Sequence, residues 1–327
     1  MSRIRVAILR GGLSDEYRAS LWTGASVIEN LNKEIFEPID IVVTKSGEWL
    51  REGMVCPPEH VLQSVDVVFN ALHGAYGEDG TIQRVLDRYG VPYTGSKAFP
   101  SALGMNKLLT KNFLRETDIK LPQHVHITKD SLDEVPRIAE SLVDRFGPQY
   151  IIKPVSSGSS VGTMMVKNPL LLNQAITDAL ERFDEVIVEA KIPGREATCG
   201  VIDRYRGQDS YALPPIEIVI PAGADFYSED LKMSGLTDDF CPSRFDRSTK
   251  DEIEHIARLV HSTLGLSQYS RSDFIVADDG IYFLEVNSQP QLTPSSHFSK
   301  SVEAVGGTYA DFITHLLTDA LLQHKRR

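Results

Sequence analysis

The sequence is poor in the features that mark several classes of protein. Only three cysteines occur, Cys56, Cys199 and Cys241. They stand far apart without metal-ligand spacing, which argues against a disulfide framework and against a zinc site. No apolar run approaches the length of a transmembrane helix, and Met1 leads straight into a strand-like run without a signal-peptide core. These absences set the expectation of a cytoplasmic chain with no membrane partner. Basic excess is also missing: the formal net charge is -11, which argues against a nucleic-acid partner. The glycines of Arg10-Gly-Gly-Leu-Ser-Asp-Glu16 lack the GxGxxG spacing of dinucleotide sites, and the later Gly/Ser loop lacks the GxxxxGK[ST] pattern. What remains is ordinary for a globular enzyme of two or three domains: 327 residues, 42% hydrophobic and 24% charged.

Apolar runs alternate with helical stretches in the first third. Strands are predicted over 5–9, 36–44 and 65–69, with a helix over 16–31. Such alternation predicts a parallel sheet. The third strand ends in a glycine-rich loop, residues 69–80, that carries His73, Glu78 and Asp79. Loops at the carboxyl ends of parallel strands are where open sheets place ligands; a plain turn with His73 satisfied locally is the alternative. A helix over 102–115 carries Lys107 and Lys111, and Ser131 would cap another over 131–146. Residues 150–167 read as strand, Gly/Ser loop and strand, a hairpin flap with Lys153 on the entering strand. Backbone N–H groups and hydroxyls of such a loop can cradle phosphate oxygens; the bland reading is a solvent-facing tip. Further strands are predicted over 185–189 and 216–220, and helices over 251–264 and 309–322. Residues 221–242 show little periodicity and read as a long loop, of the kind that often serves as a lid.

The most informative stretch is 269–290, two apolar runs around Asp278-Asp279-Gly280. A three-residue hairpin loop with a left-handed Gly280 pairs Ala277 with Ile281, Asp273 with Glu285 and Arg271 with Asn287. Like charges opposite each other destabilise a sheet. A divalent cation between Asp273 and Glu285 would remove that conflict, and Mg²⁺ takes such oxygen ligands. Pairing of the carboxylates with Arg271 in a solvated hairpin is the other reading. A two-residue turn would put the two carboxylates on opposite faces.

Taken together, these pieces resemble the D-alanine:D-alanine ligases of the ATP-grasp superfamily over nearly the whole chain. The matching stretches are Gly11–Glu16, Ala71–Gly74 with Gly77–Gly80, Pro92–Ser96, Met105–Lys107, Lys153-Pro154 with Gly158–Gly162, Gly194–Glu196, Arg271–Phe274 and Glu285–Asn287. The resemblance implies a mixed α/β and α+β chain with a three-domain ATP-grasp fold, divided at 1–104, 105–188 and 189–327. The first domain would hold a parallel sheet, and ATP would lie between two sheets.

It also implies roles. Lys107 and Lys153 would contact nucleotide phosphates, with Ser159 and Ser160 of the flap closing over them, and Lys232, kept in the lid motif, would also bind the cofactor. Glu189 would sit in the linker beside adenine, and Glu196 would bind the ribose. Asp273, Glu285 and Asn287 would hold two Mg²⁺ ions, with Mn²⁺ as the alternative metal. Glu16 would meet the ammonium of the first amino acid, with Ser20 and His73 nearby. Arg271 and the backbone N–H of Gln291 would face the oxyanion, and Ser296 the carboxylate of the second amino acid. The implied chemistry is carboxylate activation as an acyl phosphate followed by attack of an amine, on small amino-acid substrates for peptidoglycan precursors. A homodimer is suggested by family analogy.

Three positions depart from the family pattern. Met233 stands where a tyrosine ends the lid motif, Gln291 replaces the usual glycine after Pro290, and His297 replaces an apolar residue after Ser296. All three lie near the second amino acid. They leave two alternatives beside D-alanyl-D-alanine synthesis: a ligase with a different second substrate, and a nucleotide-binding module without turnover.

Overall fold

The computed structural model describes residues 3–158, 161–221, 223 and 237–325. Ser159, Ser160, Lys232 and Met233 lie outside the described residues.

The chain forms three sheets. In the first, β1 (Ile4–Gly11) lies parallel to β2 (Phe36–Val43) on one side and β5 (Val67–Asn70) on the other. Two short antiparallel strands, β3 (Trp49–Arg51) and β4 (Met54–Val55), extend the edge beyond β2. Val6 to Leu9 of β1 are fully buried, as a central parallel strand covered on both faces requires. The helix Tyr17–Asn30 follows β1, and the carboxyl ends of β1 and β5 lie side by side.

The second sheet is antiparallel and contains β6 (His124–Thr128), β7 (Tyr150–Pro154), β8 (Met164–Val166) and β9 (Glu185–Ala190), in the order β6-β9-β7-β8. Its apolar face packs on the helices Val135–Phe146 and Leu172–Arg182. The third contains β10 (Arg195–Tyr205), β11 (Gln208–Ala212), β12 (Ile216–Val219), β13 (Asp238–Phe240), β14 (Tyr269–Ala277) and β15 (Gly280–Asn287). Its path is β13-β12-β10-β14-β15, with β11 on β10. The helix Arg247–Thr263, capped by the Asp246 side chain, packs on this sheet. Among the described residues no helix is long and apolar enough to cross a membrane.

Several predicted elements differ in detail, each for a local reason. The helix over 102–115 is two helices, Ala98–Met105 and Lys107–Leu114, broken at Asn106. Asn106 leaves helical geometry at ψ 103° and its side chain accepts from Leu109 N, so it caps the second helix. Ser131 is not an N-cap: residues 129–134 form a 3₁₀ turn, and the α-helix starts at Val135. Pro136 suits that start because a first-turn proline lacks only an N–H that would have no helical partner. Asp238–Phe240, expected in a long loop, pairs with β12. A cut between 188 and 189 would fall inside β9. The C-terminal helix Tyr309–Lys325 buries Phe312 and Leu316 in one core with Val6 and Ile8 of the first sheet.

Candidate active site

The hairpin of β14 and β15 pairs Asp273 with Glu285 and Arg271 with Asn287, as the residue pattern predicts, but by another route. The turn has two residues, with Ala277 opposite Gly280, so the strands leave it one residue out of the expected register. A bulge between Asp273 and Phe274 restores the expected pairing and leaves Leu284 as the extra residue on β15. Were the register set by the turn continued past Phe274 without a bulge, Asp273 would face Leu284 and Glu285 would fall on the other side of the sheet.

Asp273 accepts from Arg271 at 3.0 and 3.1 Å and from Thr198 Oγ1 at 2.6 Å. Glu285 lies 3.6 Å from Lys107 Nζ. The buried Nδ2 of Asn287 has no hydrogen-bond partner among the described residues. Since amide N and O exchange by a flip, this side chain can turn an oxygen toward a cation. Two carboxylates and an amide oxygen are donors of the kind Mg²⁺ takes. The set therefore fits that ion.

On one side of this row a slot opens between the second and third sheets. It is lined by Lys153, Glu189, Glu196, Asp273 and Glu285, with Ala190 to Ile192 along the strand connection and Ile151, Ile218 and Phe274 as apolar walls. Lys107 and Lys153 are both buried. Lys107 donates to Ser157 O at 2.5 Å, tying the second helix of the broken pair to the flap. Burial lowers its pKa, against the pull of Glu285. Burial also disfavours charge on Lys153, but Glu189 and Glu285 outweigh it and hold the pKa above the ordinary lysine value.

Glu189 corrects one expectation. Rather than standing in a linker, it is the fifth residue of β9 and 2% exposed. Its two oxygens lie 2.8 Å from Lys111 Nζ and 2.8 Å from Lys153 Nζ. Burial alone would raise its pKa; the two lysines reverse this and bring it to about 2. The residues that follow it, Ala190 to Ile192, run along the slot instead.

On the other side of the row lies a cavity of about 740 Å³, lined by Glu16, His73, Glu78, Arg271, Asn287, Gln291, Ser296 and His297 among others. The expected amino-acid residues thus converge, with one exception. Ser20 is fully buried, accepting from Gly11 N and donating to Ala71 O, each at 2.8 Å. It fastens the end of β1 to the segment after β5 and does not line the cavity. A backbone with φ near +70° at Gly74 turns the chain behind His73. His73 meets Thr23 Oγ1 at 2.9 Å, and burial lowers its pKa to about 4, so its ring is neutral at pH 7. A Cβ built on Gly158 of the flap would sit 2.1 Å from Glu16 Oε1, so any side chain there would displace that carboxylate.

Residue patterns passed over several neighbours. Glu78 lines both the cavity and the small pocket that holds Lys107, Glu285 and Asn287. Burial, then the nearby Glu16, raises its pKa well above the carboxylate range. Gln289 accepts from Asn70 at 2.8 Å and donates to Leu72 O at 2.5 Å, joining the end of β15 to the loop of His73. Asp239 on β13 accepts from His297 at 2.9 Å and from Lys300 at 2.7 Å. Burial opposes its charge, yet His297 and Lys300 hold its pKa below the ordinary range. Ser296 caps the helix His297–Ala304 through Ser299 N while lining the cavity. The loop composition pointed toward Glu78; nothing local pointed to Asp239.

Comparison with known proteins bears on this geometry. The family model described as D-ala D-ala ligase C-terminus matches residues 113–318, and that for the D-ala D-ala ligase N-terminus matches 54–96. A D-alanine--D-alanine ligase of Rhodococcus opacus is 33% identical, over 98% of this chain and 97% of its own length. The crystal structure of the VanG D-Ala:D-Ser ligase from Enterococcus faecalis has a TM-score of 0.82 at 27% identity, over 98% of this chain and 100% of the other. That of the D-alanine--D-alanine ligase from Bacillus anthracis complexed with ATP has a TM-score of 0.78 at 28% identity, over 99% of each chain. With the family model spanning most of the chain, and with a fold shared with these ATP-grasp enzymes, the protein belongs to the D-alanine--D-alanine ligase family.

Proposed function

We propose that this chain joins two D-alanines at the expense of ATP, in the cytoplasm, as a step toward peptidoglycan precursors. The observation that carries the reading is the row Asp273, Glu285 and Asn287, set by the bulge at the boundary between a lysine-lined slot and a cavity holding Glu16 and Arg271. A nucleotide in the slot and an amino acid in the cavity would meet at that row.

In this reading Lys107 and Lys153 hold the phosphates, Glu196 the ribose, and the segment after Glu189 borders the base. Ser159, Ser160 and Lys232 act with them on the phosphates. Mg²⁺ held by Asp273, Glu285 and Asn287 would neutralise charge on the transferring phosphoryl group. Glu16 pairs with the ammonium of the first D-alanine and leaves its carboxylate facing the γ-phosphate. A carboxylate oxygen attacks that phosphorus and ADP leaves, giving D-alanyl phosphate. The amine of the second D-alanine, oriented through Ser296, then attacks the acyl carbon. Arg271 and the N–H of Gln291 stabilise the oxyanion, which collapses with loss of phosphate. His73, neutral at pH 7, contributes a polar contact rather than a charge. The cavity walls must exclude water, since the acyl phosphate would otherwise hydrolyse.

The test is phosphate release with ATP, Mg²⁺ and D-alanine, with the product identified by mass. D-alanyl-D-alanine is expected, and its formation should stop on chelation of Mg²⁺. Release only with a mixed pair of substrates, or none despite nucleotide binding, would overturn the reading.

A further inference from the structure

Lys111 has no part in the reaction as described, yet it is among the most buried side chains of the molecule, 1% exposed. It stands one helical turn after Lys107, so both project from the same face of the helix Lys107–Leu114. Its Nζ lies 2.8 Å from Glu189 Oε1, an ion pair rather than a well-directed hydrogen bond. The second oxygen of the same carboxylate lies 2.8 Å from Lys153 Nζ. One buried anion is thus shared by two buried cations that come from different elements, a helix and β7.

The two lysines are not equivalent. Lys153 and Glu189 line the slot, whereas Lys111 does not; it approaches Glu189 from behind. A triphosphate entering the slot therefore competes with Glu189 for Lys153 and leaves Lys111 untouched. If Lys153 were the only partner of Glu189, that competition would strip a buried carboxylate of its counter-ion, which is strongly unfavourable. Binding would then have to overcome that penalty.

We infer that Lys111 is a positioning residue for ATP: it stays on Glu189 so that this carboxylate remains ionised and in place while Lys153 turns to the phosphates. The inference rests on the proposed nucleotide role of the slot. Lys111 acts through Glu189 and Lys153 and touches no substrate. Its effect should fall on the nucleotide alone, since the amino-acid cavity is lined by other residues.

The experiment compares the wild-type chain with Lys111→Met and with the double variant Lys111→Met/Glu189→Gln. It measures nucleotide affinity with a fluorescent ATP analogue, KM for ATP and for D-alanine, and melting temperature. Lys111→Met should weaken analogue binding and raise KM for ATP by roughly tenfold or more, the scale of losing a supporting partner behind a ligating group. KM for D-alanine should stay within about twofold. The double variant removes the stranded anion with its cation and should recover most of the lost nucleotide affinity. That rescue also serves if Lys111→Met alone folds poorly. Unchanged nucleotide affinity in Lys111→Met would overturn the inference. So would equal losses for both substrates that track melting without rescue, because packing alone would explain them. A wild-type chain that binds nucleotide without ligating D-alanine would sink the proposed substrate and leave the Lys111 comparison intact. A wild-type chain that binds no nucleotide would overturn both.

Discussion

The slot and the cavity on either side of the β14–β15 row are built by opposite means. In the slot, charge is balanced by charge across elements: Lys107 beside Glu285, and Lys111 with Lys153 on Glu189. In the cavity, several side chains are held by neutral hydrogen bonds and backbone groups, as with His73 on Thr23, Gln289 on Asn70 and Leu72, and Ser296 on its own helix. The difference suits the ligands proposed for each. A triphosphate is a polyanion that can displace a carboxylate from a lysine. An amino acid is a zwitterion that needs one placed charge at each end and a fixed shape between. Besides Arg271 on Asp273, charge meets charge in the cavity at Asp239 with His297 and Lys300, on a wall where the family pattern places an apolar side chain.

The largest expected effect comes from disconnecting the two halves. Glu285→Ala takes one of the two opposed carboxylates out of the row between slot and cavity. Phosphate release should fall by roughly a thousandfold, the scale of losing transition-state electrostatics. Retention of a tenth of the activity in a folded variant would show that the opposed carboxylates are not needed. Next comes Arg271→Met, expected to lower kcat roughly a hundredfold or more with little change in KM for ATP. An equal rise in KM for ATP would blur the division between slot and cavity.

A smaller effect is written in pH. The folded pKa of His73 is about 4, below its ordinary 6.5, with burial as the main cause, opposed by a bond to Gln289 and assisted by Arg271. The unfolded chain therefore takes up the proton first, and the stabilisation from a neutral His73, complete above pH 6.5, is lost as pH falls toward 4. The loss at pH 5 should be about 2 kcal/mol. Denaturant midpoints at pH 7 and pH 5 measure it, and His73→Gln should remove most of the difference between them. A wild-type slope that survives the substitution would assign it to other groups.

The smallest effect belongs to His297→Leu. Asp239 keeps Lys300 at 2.7 Å, so stability should drop by about 1 kcal/mol. Preference among second D-amino acids should shift by less than tenfold. A larger shift would make this wall a determinant of the second substrate; no shift would make His297 a partner of Asp239 alone.

Much of this arrangement was legible in the residues. The strands of the first sheet, the flap around Lys153 and the opposition of Asp273 to Glu285 follow from local pattern, because burial and turn chemistry act over a few residues. The route to the last was misread, since a two-residue turn corrected by a bulge gives the same pairing near the site as a three-residue turn without one. Ser20 shows the reverse error: a polar residue near Glu16 in sequence turns its hydroxyl into the sheet, where Gly11 and Ala71 need partners. Breaks at Asn106 and Val135 depended on which polar side chain or proline took the cap, a competition between near-equal local options.

By itself the sequence determined which chemistry the chain carries: its lysines, its paired carboxylates, their order and the turns between them. Tertiary structure alone decided how those charges are shared. That Glu189 answers to two lysines, that Asp239 holds His297, and that the C-terminal helix closes the first core are facts about segments distant in sequence. Ion pairing in a buried setting depends on which groups lose water together, and no periodicity within one segment records what the facing segment will present.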